Sequence, residues 1–93
     1  MTLTQLEYVL AVYKFKHFSK AAKSCFVTQP TLSMQLQKLE EELELIIFDR
    51  SKSPTEPTPE GRLIVEQAQK IIHEQKKMFS LIEESKEELC GDF

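Results

Sequence analysis

The chain has 93 residues, with 12 Lys and Arg against 15 Asp and Glu, so the formal net charge is −3 with His neutral. That length makes one small domain with a modest core, of the size that often completes its burial by pairing. With 41% hydrophobic and 29% charged residues it is a folding composition, and no uninterrupted apolar run approaches the roughly 20 residues of a membrane span.

The first eight residues lack the basic start and apolar stretch of a secretory signal, and two cysteines cannot build a disulfide framework, so the cytosol is the default compartment. Two glycines exclude a Gly-rich phosphate loop. Charge is placed unevenly. No acid lies between Glu7 and Glu40, a window holding Lys14, Lys16, Lys20, Lys23 and Lys38 as well as His17. Residues 1–58 carry seven acids and seven bases, whereas residues 59–93 sum to −3. An acid-free basic stretch suits an anion-facing surface and equally a solvated lysine face, and charge alone leaves both readings open.

In chain order, Thr2 or Thr4 caps a first helix whose apolar residues Leu3, Leu6, Val9, Leu10 and Tyr13 recur at helical spacing as far as Phe15. Lys16-His17-Phe18 breaks it. Ser19 then stands where an N-cap would precede a short helix containing Ala21 and Ala22, small enough to admit a close neighbour. Thr28 is the next cap, with Pro30 in the first turn, where a missing N–H costs nothing. In the third helix Leu32, Leu36, Leu39 and Leu43 fall within roughly 60° of one another. The opposite arc carries Pro30, Thr31, Ser33, Met34, Gln37 and Lys38.

Two short helices, a tight turn and a third helix that is polar from its start make a helix-turn-helix layout. Leu45 to Arg50 is apolar and β-prone. Residues 51–59 hold three prolines and no apolar residue, so they form an exposed ribbon or loop, a wing, whose cations are Lys52 and the adjoining Arg50. Thr58 caps a last helix. Its residues Ile64, Ala68, Ile71, Gln75, Met78, Ile82, Ser85 and Leu89 step alternately by four and three, a heptad seam interrupted by polar Gln75 and Ser85. From Glu60 to Leu89 such a helix runs about 45 Å, longer than this domain can cover, so the seam predicts pairing with a second chain rather than folding back on the first three helices.

Catalytic and metal signals are weak. His73-Glu74-Gln75-Lys76-Lys77 lacks the second histidine of a metalloprotease helix, no cofactor motif is present, and no base is placed near a Ser or Cys nucleophile. Cys25 reads as a packed thiol and Cys90 as an exposed terminal one. No enzyme is expected.

The residues Phe18, Ala21-Ala22, Val27-Thr28-Gln29-Pro30-Thr31-Leu32-Ser33, Gln35, Leu39-Glu40-Glu41-Glu42-Leu43, Phe48, Arg50 and Thr58 through Gly61 resemble the DNA-binding domain of LysR-type transcriptional regulators. Leu6-Glu7-Tyr8, His17-Phe18, Ser24-Cys25 and Lys38-Leu39-Glu40 are similar to the peroxide-sensing, OxyR-type branch of that family. The resemblance implies a mostly α fold: a winged helix-turn-helix over residues 1–58, a linker and dimerisation helix over 59–90, and the start of a larger effector domain at 91–93, to which the branch's peroxide-reactive cysteines would belong. It also implies binding to double-stranded DNA as a homodimer. Gln29, Pro30, Thr31, Ser33 and Met34 would read base edges. Ser19, Lys20, Thr28, Lys38, Arg50 and Lys52 would contact the backbone. Ile64, Ala68, Ile71, Gln75, Met78, Ile82 and Leu89 would face the partner chain. Three positions depart from the family pattern: Met34 where many members carry Arg, Ser53-Pro54-Thr55-Glu56 where a basic wing tip is common, and Glu44 where Gly is usual, which predicts that the third helix runs on. The alternatives are a LysR-type regulator of another inducer class, a helical protein-interaction module, and a small redox protein using Cys25 and Cys90.

Overall fold

The computed structural model describes the backbone of residues 1–91 and the side chains through residue 86. Its elements run α1 (Leu3–Phe15), α2 (Phe18–Ser24), α3 (Gln29–Leu43), β1 (Phe48–Asp49), β2 (Glu56–Pro57) and α4 (Pro59–Gly91). The two strands pair antiparallel, Phe48 opposite Pro57 and Asp49 opposite Glu56. A three-helix unit, a two-stranded ribbon and a long final helix make a winged helix-turn-helix.

The helix ends show how local chemistry sets these boundaries. Thr2 caps α1: its Oγ1 accepts from the Gln5 N–H while the Gln5 side chain accepts from the Thr2 N–H, a reciprocal capping box. The cap expected at Ser19 is corrected. Left-handed Lys16 ends α1, His17 follows in extended backbone, and its Nδ1 accepts from the Lys20 N–H at 3.3 Å, so Ser19 lies one residue inside α2. At the far end of α2, Val27 N–H donates to the Ala22 carbonyl and Phe26 N–H to that of Lys23, both at 3.1 Å. This is a Schellman closure with Phe26 at the left-handed position, φ 59.

The extension of α3 past Glu44 is likewise corrected. The helix stops at Leu43, and Glu44 takes the left-handed conformation, φ 57 and ψ 39, that the family's glycine would take freely. A side chain there costs roughly 1–2 kcal/mol. The reversal persists because it turns Leu45 and Ile47 towards the core, where Ile47 is fully buried.

Val9 and Val12 of α1, Ala21 of α2, and Leu32, Leu36 and Leu39 of α3 are fully buried around Phe48 and Val65. The two alanines let α2 close on its neighbours. A second, smaller cluster joins Leu6 of α1 to Ala68 and Ile72 of α4. The first turn of α4 locks onto the approach to the wing: Thr58 N–H donates to the Ile47 carbonyl at 2.9 Å, its hydroxyl donates to the Ile46 carbonyl, and that same oxygen accepts from the Gly61 N–H.

The heptad seam therefore divides. Ala68, at 1% exposure, faces its own protomer, which corrects its assignment to a partner interface, and Ile64 packs half-buried against the core of its own chain. A period of three and four marks a helix that buries a stripe, not the chain it buries it against. Beyond Ile72 the stripe runs out of protomer: Met78 is 63% exposed, and Ile82 is also exposed. Ile71 and Gln75 are half-buried at the junction. Leu89 lies outside the described side chains. The whole measures 58 × 24 × 20 Å, its length set by α4.

Candidate nucleic-acid interface

The start of α3 presents a hydrogen-bonding surface. Thr28 Oγ1 accepts from the Thr31 N–H at 3.3 Å and donates to Thr31 Oγ1 at 2.8 Å, so the Thr28 hydroxyl is taken up in capping the helix. The helix start carries partial positive charge, and no acid lies in its first turn to cancel it. Gln29 and Pro30 are exposed, and Met34 is exposed on the next turn. Thr31 and Ser33 are half-buried at the two edges of this face. Leu32, Leu36 and Leu39 anchor the opposite side in the core, which fixes the rotation of the helix about its axis.

The wing is braced against α3 by one buried carboxylate. Glu40, 7% exposed, accepts the Ile47 N–H at 2.7 Å and the Phe48 N–H at 3.4 Å on Oε2, and Arg50 Nη2 at 3.2 Å on Oε1. Arg50 Nη1 reaches Ser33 Oγ at 3.3 Å, and its guanidinium lies 5.0 Å from the centre of the Phe18 ring. Phe18 in turn meets Phe48 edge-on, ring centres 6.4 Å apart. The start of α2, the polar edge of α3 and the wing are thus drawn to one side of the molecule. Arg50, expected to contact phosphate, is paired inward with Glu40 while its side chain stays 38% exposed.

Lys52 pairs with Glu56 across the wing at 3.9 Å, an exposed contact worth little. Among the described residues, no carboxylate lies at ion-pair distance from exposed Lys20, Lys23 or Lys38. Ser19 is half-buried beside Lys20. At the turn of the wing the Ser51 hydroxyl and N–H both donate to Asp49 Oδ1, and these bonds hold its carboxyl below the usual carboxylate range, more than Lys52 does. The Thr55 N–H donates to the Lys16 carbonyl at 3.0 Å, tying the base of the wing to the α1–α2 break. Among the described residues no group of three or more His, Cys, Asp or Glu is placed to hold a metal, and no helix is long and apolar enough to cross a membrane.

One residue of this region, Glu40, escapes the sequence reading. Glu40 was grouped with its acidic neighbours, yet it follows Leu36 by four residues and so lies on the buried stripe; that spacing was the available signal. Gln37 shares the outward arc with Pro30 and Met34 and borders a surface recess with Phe48 and Arg50.

A family model described as the bacterial regulatory helix-turn-helix protein, LysR family, matches residues 3–62. The chain belongs to the LysR family. It is 40% identical over 91 residues to a hydrogen peroxide-inducible genes activator of Haemophilus influenzae, covering 98% of this chain and 30% of that protein. A full-length OxyR variant from Pseudomonas aeruginosa superposes with a TM-score of 0.85 at 46% identity, covering 89% of this chain and 28% of the other. The DNA-binding domain of BenM, solved with benA site 1 DNA, gives a TM-score of 0.87 at 37% identity, covering 90% of this chain and 94% of that one. The chain thus spans under a third of the curated relative's length. The family is one of transcriptional regulators, not of enzymes.

Proposed function

We propose that this chain is the DNA-binding and dimerisation part of a peroxide-responsive LysR-type transcriptional regulator of the OxyR kind, acting in the bacterial cytoplasm. Residues 1–58 form the DNA-binding unit and residues 59–90 the linker that pairs two copies; residues 92–93 lie outside the described residues. The observation that carries this reading is the start of α3: a capped, acid-free helix end whose polar side chains point away from the core. The DNA-bound BenM domain supports it, since that chain shares this fold almost end to end. Peroxide as the inducer is supported by the names of the similar regulators.

In this reading α3 enters the major groove. Gln29 pairs with a purine edge through its amide, Pro30, Thr31 and Met34 offer apolar contact to thymine methyls, and Ser33 supplies a hydroxyl. Lys20 and Lys38, with Ser19 and the helix end at Thr28, neutralise and position phosphates, as does Lys52 once released from Glu56. The dimer forms through the outer half of α4. Leu3, Ile71, Gln75, Met78 and Leu81 line an apolar groove of about 500 Å³ between α1 and α4, and this groove with Ile82 receives the same surface of a second, antiparallel copy. Two recognition helices so related read an inverted repeat with half-sites one helical turn or a multiple apart.

Selection of bound duplexes from a random pool tests the proposal. The wild type enriches an inverted repeat. Gln29→Ala loses about 1–3 kcal/mol of discrimination at one base pair of each half-site, and Lys20→Ala weakens all duplexes alike. A pool that emerges unenriched, with no binding even at low salt, overturns it.

A further inference from the structure

We infer that Arg50 biases the hydrogen-bonding sense of Ser33, so that this hydroxyl meets DNA chiefly as a donor and favours base pairs that offer an acceptor there. The inference rests on the reading of α3 as the recognition helix. A serine hydroxyl has one hydrogen and two lone pairs, and unconstrained it serves an acceptor or an amino group equally. Here Arg50 Nη1 donates to Ser33 Oγ, so the hydroxyl hydrogen must rotate away from the guanidinium.

The guanidinium is itself held. Glu40 Oε1 accepts its other nitrogen, the Phe18 ring lies beside it, and Glu40 is tied in turn to the Ile47 N–H. Ser24 shows the ordinary use of a helical hydroxyl, donating back to the Ala21 carbonyl at 2.7 Å. Ser33 makes no such bond among the described residues, so its hydrogen is available to a ligand. Donation from a cation also polarises the O–H and strengthens it as a donor. The matching atoms on DNA are guanine O6 and N7, adenine N7, thymine O4 and phosphate oxygen; the amino groups of cytosine and adenine meet only the second lone pair, which is the weaker partner on an oxygen that already accepts from a cation. Arg50 is then a positioning residue for specificity, acting through Ser33 rather than on DNA.

The test compares duplexes selected by the wild type, Ser33→Ala and Arg50→Lys. Lysine keeps a positive charge opposite Glu40 but lacks the second nitrogen that reaches Ser33. The wild type prefers an acceptor-bearing base at one position of each half-site. Ser33→Ala reduces that preference roughly three- to tenfold, the worth of one hydrogen bond, and Arg50→Lys relaxes the same position and no other. A probe that needs no variant runs beside it. At that position, duplexes with one acceptor removed or weakened at a time, N7 by a 7-deazapurine, O6 by 6-thioguanine or O4 by 4-thiothymine, bind the wild type more weakly for one atom only. Three results overturn the inference. Arg50→Lys could leave a preference that Ser33→Ala erases, Ser33→Ala could weaken every duplex alike, as a phosphate contact would, or no single acceptor could matter to the wild type. A wild type that enriches nothing instead removes the DNA-reading assignment beneath it.

Discussion

Replacing Gly61 by alanine sets two effects of opposite sign against each other, and the geometry decides between them. Gly61 lies in the first turns of α4, where alanine is the better helix former by about 0.5–1 kcal/mol. On propensity alone the variant gains stability. A Cβ built there, however, falls 1.9 Å from the Ile47 carbonyl oxygen and 2.8 Å from its carbon. Ordinary contact begins near 3.4 Å, so helix and loop must separate by about 1.5 Å. Both neighbours are backbone and cannot rotate aside. Separation stretches the bonds from Thr58 to the Ile47 and Ile46 carbonyls, at about 1 kcal/mol each. It also loosens the packing around fully buried Ile47, an overpacking cost of about 1–3 kcal/mol. The net expectation is a loss of about 2–4 kcal/mol after the helix gain is subtracted. In a domain this small each kcal/mol moves the melting midpoint by about 4–8 °C. Urea and thermal unfolding followed by far-UV circular dichroism measure it, at one fixed chain concentration, because the proposed pairing would make stability concentration-dependent. A variant as stable as the wild type or more so would show that α4 does not sit this close to Ile47, and the interlock at Thr58 would fail with it.

Other outcomes follow from the same structure. Glu44→Gly and Phe26→Gly each relieve a left-handed side chain and should stabilise by about 1 kcal/mol in the same unfolding assay; a loss at either position contradicts the turn described there. Ser51→Ala removes the donors' hydroxyl from Asp49, so the Asp49 carboxyl, followed by NMR titration, should move up towards its ordinary value of 3.8. Because the folded-state value is the lower one, this group's contribution is present above the unfolded value and fades as pH falls through the folded one; an unchanged titration refutes the bond. Ile71→Asp places a charge on the seam where it leaves the protomer, and sedimentation at micromolar concentration should show pairs becoming single chains; a wild type that is already monomeric removes the dimer.

Most of the fold was legible because its signals are local. Thr28 before Pro30 marked the start of α3, four leucines marked its buried side, and the prolines after Arg50 marked the wing. The errors have one common origin, in that each depended on something distant in sequence. Ser19 carried the commoner cap chemistry, but the left-handed exit at Lys16 set the frame and put His17 in place. Glu44, standing where the family usually has Gly, suggests a longer helix, while the pull of Ile47 into the core decides the turn. Ala68 sat correctly on the stripe of α4, yet Leu6 of the same chain reached it first. Arg50 is the surface cation its sequence suggests, but its inward pairing is not legible there, because its acceptor, Glu40, lies hidden in an acidic run. Position on the helix told which side chains point outward; it could not tell which of them another part of the chain already holds.

The most direct test of the account is amide chemical-shift mapping by NMR as an enriched duplex is titrated into the protein. The account predicts shifts concentrated at residues 28–38, the start of α2 and the wing, with the α1–α4 groove unaffected by DNA and sensitive instead to chain concentration. Shifts gathered on the far side of the core, or none along the start of α3, would contradict it.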